Sequence, residues 1–89
     1  MGSKRRSELE IIGEILALSK QGAKKTEILY QNNMSFSQLQ NYLSYLSEND
    51  LIRENISLTT QGSVHKIFTT TDKGNNLLSD IHKIRTYFE

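Results

Sequence analysis

The stretch Lys24-Lys25-Thr26-Glu27-Ile28-Leu29-Tyr30-Gln31-Asn32-Asn33-Met34-Ser35-Phe36-Ser37-Gln38-Leu39-Gln40-Asn41-Tyr42-Leu43 decides the fold. It reads as a short helix, a tight turn and the start of a longer helix. The short helix runs from about Lys24 to Asn32 and carries Ile28 and Leu29 inward. Asn32-Asn33 then supplies residues that tolerate the left-handed backbone a tight interhelical turn requires. Met34 is the apolar residue of that turn, expected to plug the core between the helices. The longer helix starts at Ser35 and ends near Asn49-Asp50. Ser35 and Gln38 have capping-box spacing, and Phe36, Leu39, Leu43 and Leu46 form an apolar stripe flanked by Tyr42.

Towards the N-terminus, Ser7 to about Lys20 reads as another helix. Ser7 and Glu10 form a second capping-box pair, and Leu9, Ile12, Ile15 and Leu16 recur at helical spacing. Ile11 and Leu18 widen that stripe, and Gly22 suits a left-handed cap after it. Three helices with a tight final turn are the arrangement of a tri-helical helix-turn-helix core.

Towards the C-terminus the period changes. Leu51 to Ile56 and Val64 to Thr71 are rich in β-branched and aromatic residues, and Thr60-Gln61-Gly62-Ser63 between them has turn chemistry. The spacing predicts a β-hairpin. A last helix begins at Thr71 or Asp72, with Leu77, Ile81, Ile84 and Phe88 spaced as a heptad-like seam and Leu78 and Tyr87 beside it. The expected class is therefore α+β. Residues 4–89 form one domain, with core and hairpin over 7–71 and the last helix over 72–89.

Composition bounds the chemistry. At 89 residues the chain has room for one compact domain, whose small core dimerisation would help. It has no Cys, which excludes disulfides, thiol catalysis and thiolate metal sites. No apolar run approaches the roughly 20 residues of a membrane span, and no signal-peptide pattern opens the chain. Met1-Gly2-Ser3 has the character of an expression scar and stays outside the fold reading. The net charge of +1 says little by itself. Its distribution says more: Lys4, Arg5 and Arg6 make a basic arm, and Lys20, Lys24 and Lys25 follow it. A basic run is ordinarily just a solvated terminus.

Several segments resemble one family. Lys4-Arg5-Arg6-Ser7, Gly22 to Ile28, Met34 to Leu39, Tyr42-Leu43, Leu51-Ile52 and Thr70-Thr71-Asp72-Lys73-Gly74 are similar to archaeal winged helix-turn-helix proteins predicted to be transcriptional regulators. The ten-kilodalton "a"-type chromatin proteins of Sulfolobus are in related company. The resemblance covers nearly the whole chain after residue 3 and rests on the order of the pieces. It implies a winged helix whose third helix, residues 35–49, is the recognition helix. Two departures stand out: that helix has no Lys or Arg, and the wing loop is longer than usual for the family.

On this reading, double-stranded DNA is the expected partner. Opposite the core stripe of the third helix lie Ser37, Asn41 and Ser44, flanked by Gln38 and Tyr45. Asn and Gln can pair bidentately with adenine in the major groove, and Ser can serve any base. The helix N-terminus can also take a phosphate through its free N–H groups. The bland alternative is an ordinary polar helix face. Phosphate contacts are expected from Arg5 and Arg6 on the arm, Lys24 and Lys25 at the start of helix 2, Arg53 on one wing strand, and His65 and Lys66 on the other. Glu27 and Glu48 oppose them. The wing tip, Thr59 to Ser63, could enter a minor groove, lie along phosphates or simply be a surface loop.

Leu77, Ile81, Ile84 and Phe88 exceed what one small domain needs to cover itself. A homodimer through the last helix is expected, the alternative being that this helix packs back onto helix 1. Enzymatic readings have no support. His65 and His82 lie on different elements, Asp80 and His82 face different directions on a helix, and there is no HExxH, paired-carboxylate or Gly-rich phosphate motif. No cofactor, metal or small-molecule ligand is expected. The expected role is transcription regulation or chromatin organisation by steric occupancy of DNA, in the cytoplasm at the nucleoid. The rival is a winged-helix protein–protein module, because fold does not fix function.

Overall fold

In a computed structural model of the chain, residues 7–88 are described. Their order is α1 (Glu8–Leu18), β1 (Ala23–Lys24), α2 (Lys25–Asn32), α3 (Phe36–Glu48), β2 (Ile52–Leu58), β3 (Val64–Thr70) and α4 (Asp72–Thr86). The N-caps of α1 and α3 fall where the sequence spacing placed them. Ser7 and Glu10 exchange both capping-box hydrogen bonds at α1, as do Ser35 and Gln38 at α3. Asn33 takes the left-handed conformation between α2 and α3, and Gly22 takes it after α1. At the end of α3, Asp50 turns left-handed while Leu51 N–H donates to Leu46 O at 2.8 Å and Asp50 N–H to Ser47 O. That pair of bonds is a Schellman closure.

The hairpin has an addition. β1 pairs antiparallel with β3, placing Ala23 opposite Phe68 and Lys24 opposite Ile67, so the sheet has the order β1-β3-β2. Two residues are too short to show a period, and β1 is recruited because it covers the otherwise open edge of β3. On the other side β2 and β3 pair from Ile52 with Thr70 out to Leu58 with Val64. The tip is closed by Thr59 N–H to Ser63 O, with Gly62 left-handed.

Ile15 and Leu16 of α1, Ile28 of α2, and Leu39, Leu43 and Leu46 of α3 form the core with Ile52, Phe68 and Leu78. Met34 packs against it, as expected. Phe36 does not: its side chain is 60% exposed, although its spacing assigns it to the core stripe. The ring stands in the first turn of α3 and meets the Lys25 ammonium 4.8 Å from its centroid instead of an apolar neighbour. Thr70 ties the sheet to α1, its hydroxyl donating to Leu16 O at 2.6 Å and its N–H to Ser19 O.

The seam on α4 divides. Ile81 is buried against Gly13 of α1. Leu77 packs half-buried on the core. Only Ile84 and Phe88 of the four remain largely exposed, with Tyr87 beside them. Ile81 is thus corrected from a residue free to meet a second copy to a residue of the monomer core.

Candidate nucleic-acid interface

The burial of Leu39, Leu43 and Leu46 turns the opposite face of α3 outward. Ser37, Asn41 and Ser44 are exposed along it, as the sequence predicted. Gln38 and Tyr45 flank the stripe on the α1 side, lining a groove with Glu8, Ile12 and Tyr42. Gln38 is partly occupied, because its Oε1 accepts from Ser35 N–H in the cap, leaving its amide N–H groups for a partner. Ser37 Oγ lies 3.4 Å from Ser35 Oγ.

On the other flank, α3 faces the N-terminus of α2 and the inner face of the wing. Lys25, Gln40, Ser44, Ser47, Glu48, Glu54 and Lys66 line a groove of about 320 Å³ there. Lys24, Lys25, His65 and Lys66 share an adjoining recess. Four basic-type side chains expected from separate elements therefore converge at one junction beside the polar stripe. The pairing of β1 with β3 explains the convergence, since it clamps the start of α2 against the wing strand that carries His65 and Lys66.

The three lysines differ in readiness. The Lys25 ammonium is held over the Phe36 ring and donates to Gln40 Oε1. Lys24 is exposed, and its backbone N–H donates to Glu27 Oε1 at 2.7 Å. Lys has no side-chain acceptor, so α2 is capped from Glu27 alone. That use of Glu27 fixes an acid close to the lysines. Lys66 pairs with Glu54 at 3.4 Å across the wing. An exposed pair of this kind contributes at most about 1 kcal/mol, so a phosphate could displace the carboxylate cheaply.

Arg53 does not join the junction. It lies 3.9 Å from Asp50 and lines a separate recess with Thr71, Asp72 and Lys73 at the base of the wing. Arg5 and Arg6 lie outside the described residues. Sequence reasoning missed Gln40 and Ser47, which sit on the wing-side flank of α3, and Glu54, which opposes Lys66. Gln40 had a usable signal: it stands four residues before Ser44, one helical turn away.

The wing also exposes an apolar strip. Ile56, Leu58 and Val64 share the face that is buried nearer the body at Ile52 and Phe68, and they are 68%, 73% and 59% exposed. No helix among the described residues is long and apolar enough to cross a membrane.

Residues 5–89 match the sequence profile of the winged helix-turn-helix family. The chain belongs to that family. A relative within reach is the uncharacterised protein MJ0290 of Methanocaldococcus jannaschii, 36% identical over 83 residues. The match takes in 92% of this chain but only 35% of that protein, so the winged helix-turn-helix chain spans about a third of its relative's length. Among solved structures, a PadR-like transcriptional regulator from Bacillus cereus superposes with a TM-score of 0.80 at 20% identity, covering 88% of this chain and 82% of that one. Sso10a-2, a DNA-binding protein from Sulfolobus solfataricus, superposes with a TM-score of 0.72 at 24% identity, covering 92% and 81%. At such identities the likeness establishes the winged-helix architecture, including the C-terminal helix.

Proposed function

We propose that this winged helix-turn-helix chain binds double-stranded DNA as a non-enzymatic regulator of transcription, with α3 in the major groove. One observation carries the reading: Lys24, Lys25, His65 and Lys66 gather beside the Ser37, Asn41 and Ser44 stripe. Phosphate contacts supply affinity and register, whereas base edges supply sequence preference. A cationic junction flanking an uncharged hydrogen-bonding helix face divides the labour in that way. The names of the B. cereus and S. solfataricus proteins point in the same direction. The basic arm with Arg5 and Arg6 adds further phosphate contacts on this reading, and the site of action is the cytoplasmic nucleoid.

The unit is a homodimer formed through Ile84, Tyr87 and Phe88, with Leu77 at the margin. Ile84 and Phe88 border a groove with Leu9 of α1, rimmed by Ser7, Glu10 and Arg85, which a twofold copy of α4 would cover. Doubling a modest set of phosphate contacts raises affinity without any new contact type.

A second reading, a protein–protein module, is favoured by the exposed Ile56, Leu58 and Val64 strip and by the lack of Lys or Arg on α3. Fluorescence polarisation with a random-sequence duplex at two salt concentrations separates the two. Binding that weakens steeply with salt supports the DNA reading, and no binding at low salt supports the module.

A further inference from the structure

A lysine ammonium only donates, and this orients everything bonded to it. Lys25 Nζ donates to the side chain of Gln40, so the atom facing it is the carbonyl oxygen Oε1. The other end of that amide must then be NH2. It donates to Ser44 Oγ at 3.2 Å, one turn further along α3. A serine hydroxyl has one hydrogen and two lone pairs. Because Ser44 accepts from Gln40, its own hydrogen is released for another partner. Among the described residues the Ser44 hydroxyl makes no other hydrogen bond, and it stands on the outward stripe between Asn41 and Glu48. The start of the chain is fixed as well, since the Phe36 ring holds the Lys25 ammonium 4.8 Å from its centroid.

We infer that Lys25, Gln40 and Ser44 form a hydrogen-bonded relay that presents Ser44 to the major groove as a donor. The inference rests on the DNA-binding reading and deepens it by naming what one position selects. Guanine and thymine show acceptors in the major groove, cytosine shows only a donor, and adenine shows both. With its hydrogen released and one lone pair left, Ser44 can donate to guanine or thymine as well as accept from cytosine or adenine, so the relay adds guanine and thymine to what this position can read. Gln40 is a positioning residue in this scheme. It touches no base and sets the polarity of the residue that does.

Gln40→Glu tests the relay because it is nearly isosteric and reverses the logic. A carboxylate still accepts from Lys25 but cannot donate to Ser44. Ser44 must then donate to the carboxylate and turn its lone pairs outward, where they accept from cytosine or adenine amino groups. The added negative charge lowers affinity for all duplexes alike, so the readout is relative preference and not affinity. Wild type, Gln40→Glu and Ser44→Ala are each equilibrated with a randomised duplex pool, and the bound fraction is sequenced. The expected result is one position at which the wild type favours guanine or thymine about threefold to tenfold more than Gln40→Glu does, the worth of one net hydrogen bond. Gln40→Glu shifts that position towards cytosine and adenine, and Ser44→Ala flattens it. A thermal melt confirms that these exposed substitutions leave the fold intact. Identical base weights in wild type and Gln40→Glu overturn the relay and leave DNA binding standing. Failure of the wild type to bind any duplex overturns the DNA reading, and the relay falls with it.

Discussion

Gly74, in the first turn of α4, lies so close to the Leu51 carbonyl that a Cβ added to it would meet that oxygen at 2.1 Å. The same Cβ would stand 2.7 Å from Thr70 Cγ2. The obstacle is backbone and cannot swing aside, so Gly74→Ala must push α4 away from the sheet. The expected loss is about 3 kcal/mol, at the upper end of overpacking costs. Gly13→Ala is the control. Its Cβ would meet Ile81 at 3.4 Å, an ordinary contact, so its effect stays within about 1 kcal/mol. Urea denaturation of both variants checks the contrast, and equal stabilities would refute the close approach at Gly74.

Thr71 holds the same joint from the other side. Its hydroxyl accepts from Gly74 N–H at 3.0 Å and donates to Asp50 O at 2.6 Å, linking the α4 cap to the end of α3. Thr71→Val keeps the shape and removes both bonds, and should lower stability by about 1–2 kcal/mol. Thr71→Ser should recover most of it. Melting curves of the two variants read the difference directly.

The division of the α4 seam gives a paired test. Ile81→Ala opens a cavity beside Gly13 and should cost about 2–5 kcal/mol of folding stability. Ile84→Glu alters a residue that is 45% exposed, and should leave the monomer folded while dissociating the proposed dimer. Sedimentation velocity decides. Unchanged association in Ile84→Glu would move the interface elsewhere.

Lysines and the α3 stripe should fail in different ways. Lys24→Ala combined with Lys66→Ala should weaken binding to every duplex alike and flatten the salt dependence by about two phosphates. Asn41→Ala should alter sequence preference and leave the salt dependence alone. Competition between a selected duplex and a random one, at two ionic strengths, measures both quantities.

Much of this was legible in the chain itself. Helix ends were readable because Ser7 with Glu10, Ser35 with Gln38, and Asn33 each do a local chemical job that sequence spacing reveals. β1 was not, because Ala23-Lys24 acquires its strand character only from the β3 edge that it covers. Phe36 and Ile81 were misjudged for one shared reason. Helical spacing says which residues share a face, but the neighbour that meets the face decides whether it is core. Lys25 meets Phe36, and α1 covers Ile81 at Gly13. The stripe of Ser37, Asn41 and Ser44 followed from the core period, whereas the gathering of Lys24, Lys25, His65 and Lys66 depends on β1 and could not be placed without it.

The central claim is that this face grips duplex DNA through phosphates. Its most direct test is the equilibrium constant for a random-sequence duplex, followed by fluorescence polarisation from low to physiological salt. With about three to six phosphates engaged per protomer, and so about six to twelve by the proposed dimer, log K should fall linearly with log salt at a slope of about −5 to −11, with dissociation constants near the micromolar range. A chain that binds no duplex at low salt, or binds one with no dependence on salt, would contradict the account.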